Sequence, residues 1–353
     1  MKKDQMHKNY SQDEATTLKY SGLAAELMKT VNNADERDGI RFDSADAASI
    51  YMARELDAVK SKTYDKEYPR LNALRLFPVA TDTNPGANDI TFYTYDMTGY
   101  AKITSDYSTD VPRADAIGES HTVPVFGITT SYGYSNQDLR AARMAGKPLD
   151  AKKAEAARFQ NDNTVNRIAW AGDSTSGLLG ILSTGQNIPV FTITAGATSG
   201  KTKWTEKTAD EILYDVRGMF AQVSAQTKDV EHPDTLALPS NVYTALSMTR
   251  LGDTESSVLK FIRDNASDLK EIVSAAELNA DSVETNPYAA VSGGSAVAVL
   301  YTNDSDKLEI NIPLAFTQNP VERRGLEAVV TCESRCAGTI VFKPLSALIA
   351  VGI

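Results

Sequence analysis

Two strand-like stretches that a single subunit cannot cover constrain this chain most. From Ile90, ITFYTYDMTGYAKIT alternates aromatic and β-branched residues, and from Val111, VPRADAIGESHTVPVFGITTSYGY follows the same habit. The middle, SDYSTDVPRADAIGES, is polar and rich in turn formers. Two strands with a long polar connection predict an extended hairpin. A two-stranded hairpin has little apolar surface of its own, so it is mobile alone and ordered only against a partner.

The flanking segments read as a mixture of helices and strands. Residues 1 to about 40 are polar and weakly periodic and predict an extended or partly helical arm. Ser44 is placed to cap a helix in which Ile50, Ala53, Leu56 and Val59 recur at helical spacing. Pro69 then imposes an extended backbone on Tyr68. LRLFPVATDTNPGAND predicts a short strand and a turn at Asn84-Pro85-Gly86. After the hairpin, Ser135 caps NQDLRAARMA, which stops at Gly146. Asp150 caps a second segment, striped by Ala154, Ala157, Val165, Ile168 and Ala169. Together they predict a long, slightly broken helical rod.

After about residue 188 the elements intermingle. PVFTIT, TLALP, LKEIVSAAEL, AVAVLYTN and KLEINIPLAF predict strands, and VERRGLEAVVTCESRCAGTIVFKPLSALIAVGI closes in strands. Thr208 and Glu211 form a T-x-x-E capping box before a helix with Ile212, Val216, Phe220 and Val223 on one face. SNVYTALSM and TESSVLKFIRDNA predict two more helices. No regular βαβ repeat appears, so the expected class is α+β.

Chemistry-bearing motifs are sparse. Net charge is −10 across 353 residues, and no Lys/Arg cluster stands apart from nearby acids, which argues against a direct grip on a nucleic-acid backbone. No apolar run reaches the length of a membrane span. The first twenty residues hold no apolar signal core, which argues against export. Cys332 and Cys336, if both on one strand, lie about 13 Å apart at roughly 3.3 Å per residue, too far to bond. Two free thiols suit a reducing cytoplasm. His7, His121 and His232 are isolated in sequence, and no Gly-x-Ser-x-Gly elbow is present. AGATSGKT, Ala195 to Thr202, fits a relaxed phosphate-loop pattern after a strand. The capping box starts the helix near Thr208, several residues late, and Asn303-Asp304-Ser305-Asp306 reads as a hairpin turn instead of a metal-binding acid after a strand. The expected reading of AGATSGKT is a Gly-rich surface loop. No catalytic residue, cofactor or metal site is predicted.

Several strings also carry a family resemblance. They are ARELDAVKSKTYDKEYP (53–69), TYDMTGYAKITSDYSTDVPRAD (94–115), YSNQDLRAARMAGKPLD and NRIAWAGD within 134–173, SSVLKFIRDNA (256–266) and the closing CAGTIVFKPLSALIAVGI. In this order, over roughly residues 40–353, they resemble major capsid proteins of tailed double-stranded DNA phages. These have the Hong Kong 97-like major capsid fold, also used by bacterial encapsulin shells. The resemblance implies an N-terminal arm (1–43), a peripheral domain from 44–86, 131–187 with a spine helix, and 329–353, an extended loop (87–130) that overlaps a neighbour, and an axial domain (188–328). It implies self-assembly into pentamers and hexamers of an icosahedral shell. That shell would enclose double-stranded DNA without sequence-specific binding and would have no enzyme activity. Scaffold, portal and decoration proteins are the implied partners, the virion capsid the location, and the host cytoplasm the place of assembly. Lys102 lies where some relatives weld subunits through a lysine–asparagine bond. Asp110, Arg113 and Asp115, in the polar middle of the hairpin, are the candidates for salt bridges to a neighbour. Two alternatives are an encapsulin compartment holding a cargo enzyme and a phosphate-loop nucleotide enzyme using Lys201.

Overall fold

A computed structural model of the chain describes residues 68–104, 111–145, 149–252, 255–291 and 296–353. The arm and the helix expected from Ser44 lie outside the described residues. The described chain opens with α1 (Ala73–Leu76) and β1 (Val79–Ala80). LRLF, expected as a strand, is therefore mostly a helical turn. Ala73, Leu76 and Phe77 are buried while Leu74 and Arg75 are exposed, a spacing of three and four and not of two. The side chain of Asn84 accepts the Gly86 amide at 2.8 Å, closing the expected turn. β2 (Asp89–Thr98) and β3 (Asp115–Pro124) then form the expected hairpin. The second stretch does not continue as one strand: beyond buried Val125, β4 (Phe126–Ser135) joins a different sheet.

α2 (Asn136–Ala145) is capped as expected. Ser135 Oγ accepts the Asp138 amide at 3.1 Å, and the Asp138 carboxylate accepts the Ser135 amide at 3.2 Å. α3 (Leu149–Ala171) starts before Asp150, so that residue lies inside the helix and not in the non-helical geometry a cap requires. Next come β5 (Gly172–Asp173), β6 (Leu178–Leu179), β7 (Val190–Thr192) and α4 (Ala209–Thr227), whose Thr208–Glu211 capping box forms as expected. β8 (Thr235–Pro239), α5 (Ser240–Met248), α6 (Val258–Asn265), β9 (Glu271–Ala275), α7 (Pro287–Val291) and β10 (Val297–Tyr301) follow. KLEINIPLAF divides into β11 (Leu308–Asn311) and β12 (Leu314–Gln318) at Pro313, which has no N–H for a ladder. The chain continues with β13 (Glu322–Arg324), β14 (Glu327–Cys336), β15 (Gly338–Val341) and β16 (Ala347–Val351).

These strands form four sheets. The first runs β1-β11-β15-β6-β5 and the second β7-β16-β10-β8-β9. In the third, β14 pairs with β12 and β13 on one edge and with β4 along ten residues on the other. The hairpin β2–β3 stands as a sheet of two. Because β10 and β11 belong to different sheets, the Asn303–Asp306 turn passes between sheets and is not a hairpin turn. The segment 329–353 is not one block either. A boundary at 328/329 cuts through β14, and β16 lies inside the second sheet between β7 and β10.

The second sheet is buried on both faces, which explains its nearly unbroken apolar strands TLALP, VAVLY and ALIAV. Val297, Val299, Tyr301, Ala347, Ile349 and Val351 face one core, shared with Trp170 and Ile168 of α3 and with the first sheet. Ala298, Leu300, Leu348 and Ala350 face a second core under α4, α5 and α6. Twenty-three residues make α3 roughly 35 Å long at 1.5 Å per residue. That length lets Ala157 pack on Val330 and Cys332 of the third sheet while Val165 and Ala169 reach the first core. Phe77 meets Trp170 edge-on at 4.9 Å, and Tyr301 Oη donates to the Leu76 carbonyl at 2.9 Å. Buried Glu277 ties three segments together. Its carboxylate accepts the Asn72 amide (2.9 Å), Asn72 Nδ2 (2.9 Å) and Asn166 Nδ2 (3.2 Å), while Asn166 Oδ1 accepts the Ala73 amide (2.9 Å).

Candidate inter-subunit surfaces

The hairpin pairs one-to-one from Asp89↔Pro124 to Thr98↔Asp115, and among the described residues each of its strands pairs only with the other. Strict alternation gives it two unlike faces. On one, Ile90 pairs with Val123 and Phe92 with His121. Phe92 meets Phe342 of the body edge-on at 4.9 Å, so the root of this face is seated. The other face carries Thr91, Tyr93, Tyr95 and Met97 opposite Thr122, Ser120, Gly118 and Ala116. Large residues thus stand against small ones. Tyr95 lies across Gly118, where an added Cβ would fall 2.9 Å from the ring. Tyr93, Tyr95 and Met97 are 64%, 73% and 90% exposed, and nothing in the described subunit covers them. Tyr100, Ile103 and Val111 are further exposed apolar residues of the connection, and Met97, Tyr100 and Val111 line a depression of about 490 Å³.

One side chain holds the hairpin root. Arg335 of β14 donates to the Pro85 carbonyl and, at 3.5 Å each, to Asn88 Oδ1 and the Val125 carbonyl. The Val125 amide also donates to the Asn88 carbonyl at 2.8 Å. Sequence reasoning missed Arg335, because its partners lie 210 to 250 residues away and leave no local signal. The Tyr93–Tyr95–Met97 face did have a signal, the alternation itself, although no individual residue of it stood out.

The expected contact residues are scattered along the same hairpin. Lys102 lies exposed in the connection after β2, and Arg113 lies exposed just before β3. Asp115, the first residue of β3, accepts the Ala116 amide at 2.9 Å through its carboxylate. No ion pair joins Arg113 to Asp115 within the described subunit. Asp110 lies outside the described residues.

Other constellations stay apart. Cys332 and Cys336 are buried free thiols, one in the small core under α3 and the other in the first core, and burial pushes the Cys336 thiol up to about 11. His121 Nε2 is 3.1 Å from Thr94 Oγ1, His232 pairs with Asp268 at 3.3 Å, and His7 lies outside the described residues. Among the described residues no group of three His, Cys, Asp or Glu side chains is placed to hold a metal. None of the described helices is long and apolar enough to cross a membrane. In the phosphate-loop-like segment, Lys201 pairs with Glu206 at 3.3 Å, and the loop amides bond to the protein's own Glu211.

A family model described as major capsid protein matches residues 99–353. The capsid of Myoviridae phage XM1 is 19% identical at a TM-score of 0.72, covering 86% of this chain and 99% of that one. The capsid of an empty GTA particle is 12% identical at 0.59, covering 88% and 99%. Mycobacterium phage Bobi gives 13% identity at 0.54, covering 84% and 97%. At these identities the likeness is one of fold. No curated protein matches the chain.

Proposed function

Because the chain belongs to the major capsid protein family, whose members are structural proteins that build shells from copies of themselves, we propose that its hairpin is the joint between neighbouring subunits. The observation that carries this reading is the exposed Tyr93–Tyr95–Met97 face on a hairpin that the described residues seat only at its root. Apolar surface of this kind marks an interaction site. Covering the three side chains removes roughly 300 Å² of apolar area, on the order of 7 kcal/mol before the entropy of association is subtracted. A contact between unlike surfaces of identical subunits closes into a ring when its rotation divides a full turn, as a shell requires.

In this reading the rings are pentamers and hexamers of an icosahedral capsid around double-stranded DNA. Lys102, Arg113 and Asp115, with Asp110, meet charges of the adjacent copy. The block around α3 is the peripheral domain and the block from 188 is the axial domain, with β16 shared between the two. The hairpin proper ends at Pro124, a few residues before the expected limit of the extended loop. Scaffold, portal and decoration proteins are the expected further partners, and the host cytoplasm the place of assembly. An enzyme-holding compartment is not favoured, since the matching family is one of capsid proteins.

The test is the triple variant Tyr93→Ser, Tyr95→Ser, Met97→Ser, followed by sedimentation velocity and negative-stain electron microscopy. The expected result is isolated subunits with unchanged far-ultraviolet circular dichroism and no closed particles. Normal yields of normal-sized shells would refute the proposal.

A further inference from the structure

The Gly-rich loop between β7 and α4 is the one motif that shell building leaves unexplained. Loop amides followed by a helix N-terminus form a cradle for an oxyanion. In this chain the cradle is full. From the first turn of α4, one oxygen of Glu211 accepts the Thr198 amide at 2.7 Å and the Ser199 amide at 3.0 Å, and the other accepts the Thr208 amide at 3.1 Å. Gly196 gives the carboxylate its room, since a Cβ there would fall 2.3 Å from the carboxyl carbon. The loop also closes on itself, with the Gly196 amide donating to the Lys201 carbonyl (2.8 Å) and the Gly200 amide to the Gly196 carbonyl (2.9 Å).

The stem is held by a different device. Lys207 Nζ donates to the Thr194 carbonyl at 2.7 Å and to the Asp215 carboxylate, which also accepts Trp204 Nε1 at 2.9 Å. Both members of this ion pair are buried, so neither can leave without stranding the other. Glu211 is only half-buried, and its amide bonds hold its carboxyl down at about 2, so it stays an anion. Tip and stem are thus fastened separately, and only the tip fastening is reachable from solvent.

We propose that Glu211 is an intramolecular oxyanion, a latch that keeps loop 194–203 in one conformation by taking the seat that phosphate takes in nucleotide-binding loops. The loop is then a preset surface feature of the subunit, closed to external phosphate while the latch is in place. Removing the carboxylate frees the tip, leaves the stem fastened, and empties a seat whose chemistry suits a small oxyanion.

Hydrogen exchange of the full-length chain tests this, with Glu211→Ala and Glu211→Gln beside the parent and with inorganic phosphate or acetate added at tens of millimolar. In Glu211→Ala, exchange at Thr198 and Ser199 rises by about tenfold or more, while β8 and β10 keep their protection. Phosphate or acetate slows that exchange in the variant and leaves the parent unchanged. Glu211→Gln keeps one acceptor oxygen and shows an intermediate rate, and it carries the test if the alanine variant fails to fold. Lys201→Ala, which keeps the latch, exchanges like the parent. Parent-like exchange in Glu211→Ala, a loss that neither anion reverses, or phosphate protection of the parent loop would each overturn the proposal.

Discussion

Replacing Glu277 with alanine removes the common acceptor at the junction of the 69–73 segment, α3 and the chain after β9. Three donors lose their partner: the Asn72 amide, Asn72 Nδ2 and Asn166 Nδ2. An unsatisfied buried donor costs about 1–3 kcal/mol, so three set a range of roughly 3–9 kcal/mol. Two effects pull toward the lower end. A cavity of about 480 Å³ lined in part by Glu277 and Asn166 lets water reach the vacated acceptor position. The parent also bears the cost of a desolvated carboxylate, which the variant is spared. The expected loss is therefore about 3–5 kcal/mol. Glu277→Gln separates geometry from charge. Its remaining oxygen can accept from the Asn72 amide and Asn166 Nδ2, but its own NH₂ then faces Asn72 Nδ2, a single mismatch worth about 1–2 kcal/mol. Urea unfolding of unassembled subunits, confirmed as such by sedimentation, reads both values from the midpoint at constant slope. The reasoning is wrong if the alanine variant lies within about 1 kcal/mol of the parent, or if glutamine costs as much as alanine.

Arg335→Ala is expected to loosen the hairpin root, speeding amide exchange near Asp89 and Pro124 and lowering subunit stability by only about 1 kcal/mol, since its bonds are partly exposed and two are long; parent-like exchange at the root would contradict the assigned role. Glu211 sets a pH dependence. Its folded-state value, about 2, lies below the ordinary 4.5, so its contribution is fully present above pH 4.5 and is lost as pH falls through about 2. The Glu211 carboxyl carbon, followed by NMR, should titrate near the lower value, and a midpoint near 4.5 would rule out the amide contacts in solution.

Where local chemistry decided the conformation, the sequence could be read directly. The Thr208–Glu211 box sets the start of α4, Ser135 and Asp138 set the start of α2, and the unbroken apolar runs TLALP and AVAVLY are what strands buried on both faces require. Errors arose where distant groups decided. The turn at Ala73–Leu76 is held by Asn166 and Glu277, so nothing within LRLF reveals it. The division of KLEINIPLAF between two sheets has one local sign, Pro313, which lacks the N–H a continuous ladder needs. The alternation in ITFYTYDMTG did reveal the hairpin, but neither the size of its exposed apolar face nor that Arg335 anchors its root. The glycine-rich loop fits a phosphate-loop pattern because its amides converge on one carboxylate-sized seat. What sequence pattern could not show was that a carboxylate further along the same chain already sits there.

The placement of β16 has a consequence in time. Val190 lines up with Ile349 and Val297 with Val351, so the strand made last of these is the one that joins the other two. At roughly 5–20 residues per second, a ribosome needs about 8–30 s to travel from the first of these strands to the last. Throughout that interval β7 and β10 have no common neighbour, and the wall between the two cores lacks the Ala347–Val351 strand. A subunit that stops short of this strand is left with β7 unjoined to β10 and with Ile349 and Leu348 missing from the two cores they fill.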